Sequence, residues 1–227
     1  MRNMSRFWLV LAVLVAGCAS NVSEQGTYGQ SNERAVSVEV DAPAVAVSDI
    51  SGALAQFMGP EGDRLLLLPN RLDRSALDYS VESLKEIDSW LANVHTINKL
   101  QAGEGKAGEM LMMDGRGDNS VTFAGLYMGE VVRANSDLDW KWERFDLFLQ
   151  ANPYFAEHYG TYAGLDSFVL VGPQGVATPI NTALKRVVQG KEESVHYIAT
   201  LLLDEVDLRE ALSGQDLMGF DQRDAGE

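Results

Sequence analysis

The side chains best suited to hold a ligand gather in one stretch. Tyr127, Glu130 and Arg133 follow one another at spacings of three, as one helix face requires, and Trp140 and Trp142 come next, two apart. A carboxylate and a guanidinium beside aromatic rings can line a groove, since ligand sites are mostly apolar with a few polar groups that fix orientation. The same five residues fit a second arrangement. A helix packed on a tryptophan-bearing strand, with Glu130 and Arg133 as an exposed i,i+3 ion pair, also accounts for them.

Other stretches carry less chemistry. Asp114-Gly115-Arg116-Gly117-Asp118-Asn119 sets two carboxylates four apart in a glycine-bearing turn. A calcium loop needs more oxygens on a fixed schedule and a closing glutamate at its twelfth position, and these are missing. Gly103-Glu104-Gly105-Lys106 lacks the spacing of a phosphate loop and reads as a linker after a helix. His95, His158 and His196 fall on three segments, none with a second histidine three or four along, so they read as surface or core residues. No serine sits in a G-x-S-x-G frame. The sequence therefore nominates no catalytic residue, no cofactor site and no metal site.

Charge narrows the partners. The 227 residues hold 33 acidic and 18 basic side chains, a formal net charge of −15. Nucleic-acid binding draws on lysines and arginines that neutralise phosphates, so this balance argues against it. It suits solubility or a cationic partner. A hydrophobic fraction of 46% is that of a folded chain. The single cysteine, Cys18, rules out an internal disulfide.

Cys18 closes a patterned N-terminus. Arg2 and Arg6 give a basic start, Phe7 to Val15 is continuously apolar, and Ala16 and Gly17 are small. That order is a secretory signal. The apolar run is about half of the roughly 20 residues a membrane-spanning helix needs. Val15-Ala16-Gly17-Cys18 resembles the lipobox of bacterial lipoproteins, with valine where leucine is more usual. The resemblance implies diacylglycerol on Cys18, cleavage between Gly17 and Cys18, and N-acylation of the new terminus. Ala19, rather than aspartate, after the cysteine resembles the outer-membrane default of Gram-negative enteric bacteria. A soluble secreted protein cut after Ala19 is the alternative. Loss of residues 1–17 leaves 33 acidic residues against 16 basic ones.

The elements that must position these residues follow in order. Residues 18–50 are expected to be a lipidated terminus and flexible tether, with Val36, Val38 and Val40 alternating as an edge strand or an extended linker. Residues 51–206 form the expected single globular domain and 207–227 an acidic tail. Helices are expected over Ser48–Met58, Ser80–Leu100, Ser120–Asn135, Pro179–Gln189 and Glu192–Val206. Strands are expected over Leu65–Leu68, Met110–Met113, Trp140–Phe145 and Phe168–Val171. Trp90 and His95 lie off the centre of the apolar stripe of the Ser80 helix. Gly125 and Gly129, four apart on one helix face, call for another element packed close against them. The fold class expected is α+β, a small antiparallel sheet with about four helices packed on one side. Residues 80–200 are generally similar to small domains of unknown function in bacterial envelope proteins, a likeness from which no residue role is carried over. The expected function is that of an outer-membrane lipoprotein whose periplasmic domain binds an envelope protein partner without catalysis. Binding of a small ligand or cell-wall fragment is the alternative, followed by a hydrolase with a spatially assembled site.

Overall fold

A computed structural model of the chain describes residues 42–103, 115–153, 168–173 and 175–204. Val36 to Val40, Met110 to Met113, residues 154–167, the tail and the signal region lie outside the described residues. The fold is α+β. Its helices are α1 (Ile50–Met58), α2 (Gly62–Leu65), α3 (Leu84–Gly103), α4 (Gly115–Asn135), α5 (Phe145–Ala151), α6 (Pro179–Gln189) and α7 (Val195–Leu203). Strands β1 (Lys141–Arg144), β2 (Phe168–Gly172) and β3 (Gly175–Ala177) form one antiparallel sheet in the order β1-β2-β3. Lys141 pairs with Val171 and Arg144 with Phe168, and Val176 pairs with Val171 on the other edge of β2.

Helix α4 is the centre of the molecule. It packs most extensively on α6, also meets α7, α1 and α2, and 15 of its 21 residues are buried. A helix covered on nearly all sides cannot afford a polar stripe, so small and apolar residues run around it. Phe123 is the hub of the core. Its ring centroid lies 5.6 Å from Phe57, 5.9 Å from Trp90 and 6.1 Å from Tyr127. Gly125 and Gly129 do admit close neighbours, and two different ones. A Cβ at Gly125 would overlap the Ile180 backbone at the start of α6, and one at Gly129 would overlap the Trp142 ring of β1.

Several expected elements move. Helix α4 starts at Gly115 rather than Ser120, because Arg116, Asn119 and Ser120 spend their polar groups inside the protein. The expected strand at Leu65–Leu68 is the end of α2 followed by a buried irregular bend. Leu68 takes a left-handed conformation, φ 48°, and leads into a 3-10 turn at Pro69–Arg71. Residues 71–78 carry mixed charge yet bury Leu72 and Leu77. Helix α3 begins at Leu84, since residues 81–83 make tight turns after Ser80. Trp90 is fully buried, not off the stripe, because the Leu65–Leu67 bend covers its side of the helix. The strand at Trp140 yields to α5 at Phe145, where the alternation of aromatic and charged residues slips. Residues 43–47 carry no strand. Helix α7 runs from Val195 to Leu203, within the longer expected span, because Ser194 caps it by accepting from the Tyr197 amide.

Gly125→Ala tests the close approach. An alanine gains about 1 kcal/mol of helix propensity, but overpacking against backbone costs about 1–3 kcal/mol. Urea denaturation is expected to show a net loss of stability. A stabilised variant would mean that α6 does not sit on this glycine.

Candidate functional site

The structure joins four of the five nominated residues. Glu130 and Arg133 lie one turn apart on α4, and the Arg133 Nη1 donates to Glu130 Oε1 at 2.6 Å. Trp142 Nε1 of β1 donates to the same oxygen at 2.7 Å. Arg133 Nε donates to the Trp140 carbonyl at 3.2 Å. The pair of charges thus stitches the end of α4 to the first strand. Trp142 lies across Gly129, while Trp140 is buried over Gly172, where an added Cβ would come within 2.5 Å of its ring. The Trp140 Nε1 is buried, with no hydrogen-bond partner among the described residues.

Tyr127 faces elsewhere. It is fully buried, and its hydroxyl accepts from the Tyr79 amide at 2.9 Å. The same hydroxyl lies 2.7 Å from Ser83 Oγ, which donates to the Ser80 carbonyl at 2.6 Å. Since Ser83 spends its proton on Ser80, Tyr127 donates to Ser83. Burial pushes the Tyr127 phenol above its ordinary value near 10, against the pull of the Ser83 hydrogen bond.

Sequence reasoning missed the residue that meets this surface, Tyr79. Its φ is 63°, a left-handed conformation that bulky side chains rarely adopt. The ring stacks on Tyr127 at 5.0 Å and is partly exposed. Asn135 Nδ2 donates to the Tyr79 carbonyl at 2.8 Å, so both backbone polar groups of Tyr79 are held by side chains of α4. Asp78 Oδ1 accepts from the Ser80 amide and fixes the turn beneath. No periodicity signals such a residue, because its place depends on a turn and not on a face.

A second missed node is Asp88. It sits on α3 and reaches the first turn of α7. Its Oδ1 accepts from Arg186 Nε at 3.2 Å and from the Val195 amide at 3.0 Å. Its Oδ2 accepts from Ser194 Oγ at 2.6 Å and from the His196 amide at 3.2 Å. The Asp88 and Arg186 side chains are only 16% and 8% exposed. A carboxylate at a helix N-terminus satisfies open amides and favours the positive end of the dipole. One signal was available. Arg186 falls on the apolar face of α6 with Ala183 and Val187, and a buried guanidinium requires an acid.

The histidines that are described divide their roles. His95 Nδ1 lies 2.6 Å from the Val187 carbonyl in the last turn of α6, with its ring against Gly190. His196 opens α7. His158 lies outside the described residues. The Asp114–Asn119 stretch serves α4: Asp114 is not among the described residues, Arg116 ties down the Asp63 and Leu66 carbonyls, and Asn119 binds the backbone at Pro43, Val45 and Leu65. A cleft of about 570 Å³ opens where the N-terminal segment arrives, lined by residues that include Pro43, Asp63, Arg64 and Arg116. The aromatic cluster is not part of it. Among the described residues no helix is long and apolar enough to cross a membrane. No family model, curated protein or solved structure matches the chain.

Two outcomes follow from this geometry. Asp88→Ala leaves Arg186 buried without its acid and is expected to cost about 3–5 kcal/mol in denaturant unfolding. Adding Arg186→Met should restore part of that loss; a double-variant loss equal to the sum of the Asp88→Ala and Arg186→Met losses would show that the pair is not coupled. The raised Tyr127 phenol makes the folded state hold its proton longer than the unfolded chain. Its contribution is therefore complete below the ordinary value and is lost as pH rises through the raised one. Stability measured across alkaline pH should fall more steeply in the wild type than in Tyr127→Phe.

Proposed function

We propose that this chain is a lipoprotein of a Gram-negative outer membrane, held by acyl chains on Cys18, whose domain faces the periplasm and binds a protein partner in the envelope without catalysis. The observation that carries the reading is Val15-Ala16-Gly17-Cys18 at the end of a basic and then apolar leader, in a chain with no other cysteine. A lone thiol in an oxidising compartment is a liability unless something caps it. Each buried methylene contributes about 0.8 kcal/mol, so one acyl chain holds marginally and two or three hold stably. The folded body supplies surface for a partner. Tyr197 and Leu201, one turn apart on α7, are exposed apolar side chains, 59% and 38% accessible. The acidic balance favours a partner with basic residues at its contact.

A second reading is supported by Tyr79. A strained aromatic residue that is partly exposed suits binding of a small ligand or wall fragment.

Metabolic labelling with a palmitate analogue tests the anchor. The wild-type chain should take the label and fractionate with the outer membrane, and Cys18→Ser should do neither. A mature N-terminus without lipid, read by mass spectrometry, would overturn the anchor. Cross-linking in cells should then capture one defined envelope protein with the wild type and less of it with Tyr197→Ser.

A further inference from the structure

We propose that the cleft between the N-terminal segment, α2 and the start of α4 binds a short zwitterionic peptide, its carboxylate on Arg64 and Arg116 and its ammonium on Glu61. Such a site goes beyond both readings above and needs neither the anchor nor Tyr79.

The walls of the cleft are fixed before any ligand arrives. Pro43 and Leu65 line it from two separate chain segments. One amide holds both. Asn119 Nδ2 donates to the Pro43 carbonyl at 3.1 Å and to the Leu65 carbonyl at 3.2 Å, and its Oδ1 accepts from the Val45 amide at 2.7 Å. Arg116 is held as firmly. Its Nε donates to the Leu66 carbonyl at 2.9 Å and its Nη2 to the Asp63 carbonyl at 3.1 Å. The volume of about 570 Å³ falls among those of small-ligand pockets, about 300–1,000 Å³.

The charges in the cleft are not matched within it. Arg74, Arg133, Arg144 and Arg186 each meet a carboxylate. Arg64 and Arg116 line this one cleft, and neither pairs with a carboxylate among the described residues. Neutral carbonyls orient Arg116 without cancelling its charge, and its Nη1 has no partner among the described residues. The acids divide. The Asp63 carboxylate is answered by Arg74 at 2.9 Å. Glu61 takes only a neutral donor, Gln56 Nε2 at 3.1 Å, and meets no cation among the described residues. Two cations and one anion are therefore open to a ligand.

That set selects the ligand class. A net anion would approach a chain of net charge −15, and a simple cation would meet two guanidiniums. A molecule that carries both signs faces neither obstacle. Guanidinium takes a carboxylate through two parallel N–H···O bonds. Glu61 and Arg64 are three residues apart at α2, a spacing that sets Cβ atoms about 5–6 Å apart. One or two extended residues cover such a distance. A free dipeptide supplies a carboxylate, an ammonium and an apolar side chain to lie against Pro43 and Leu65.

The test uses the full chain in detergent, titrated by calorimetry with alanyl-leucine, with its C-terminal amide and with its N-acetyl derivative. Saturable heat is expected with the free dipeptide. The amide and the N-acetyl form should each bind at least about tenfold more weakly. Arg64 is exposed, so Arg64→Gln should unfold at the wild-type denaturant concentration. It should bind the dipeptide more weakly and lose most of its preference for the free acid over the amide. Glu61→Gln keeps an acceptor for Gln56 and should lose the preference for the free amine over the N-acetyl form. No saturable heat with the wild type would overturn the site. So would an amide or N-acetyl form bound as tightly as the free dipeptide, or a preference unchanged in either variant.

Discussion

The structure depends on how one buried bend satisfies its backbone. Leu65, Leu66 and Leu67 fill the core between α3 and α4, but they belong to no strand and lack a ladder of their own. Buried backbone polar groups must find partners, and each one left without costs about 1–3 kcal/mol. Side chains provide them. Asn119 Nδ2 donates to the Leu65 carbonyl, Arg116 to that of Leu66 and Trp90 Nε1 to that of Leu67, while Ser120 Oγ accepts from the Leu67 amide at 2.9 Å. Three of those four residues lie in the first two turns of α4. That placement explains why the helix starts early, at Gly115, whose φ of 55° is one that side chains rarely adopt.

The opposite side of the molecule is closed by charge. Asp88 gathers Arg186, Ser194 and two amides of α7, so that one carboxylate fastens three helices. Between these two nodes the packing is apolar and turns on glycine. Gly125 lets the start of α6 touch α4, and Gly129 lets the Trp142 ring come close against it. The sheet is attached to the helical body through the Trp142 ring, the Glu130–Arg133 pair and the core side chains Trp140 and Leu170.

Elements governed by periodicity and local caps could be read from the sequence. Helix α6 runs from Pro179 to Gln189 as its stripe and Gly190 indicate, and the paired glycines of α4 foretold close neighbours. Elements governed by distant partners could not. The run Leu65–Leu68 looks like a strand because four leucines carry no information about where their amides will bond. Asp114 to Asn119 looks like a turn because glycine, asparagine and aspartate prefer turns, and from Gly115 on only the buried bend beside it makes a helix the better arrangement. The candidate site divides the same way. Glu130, Arg133 and Trp142 share a helix face and a neighbouring strand, whereas Tyr79 arrives from a turn 51 residues before Glu130. Tyr127, chosen for its spacing, is covered by that turn.

The grip of Asn119 on Pro43 and Val45 has a mechanical consequence. Tension along the N-terminal segment arrives at two backbone groups clasped by one amide, and passes from there straight into the middle helix. Among the described residues no strand precedes the clasp. A body loaded at its centre yields all at once or not at all, so drag on this chain should leave the folded part intact until the clasp itself lets go.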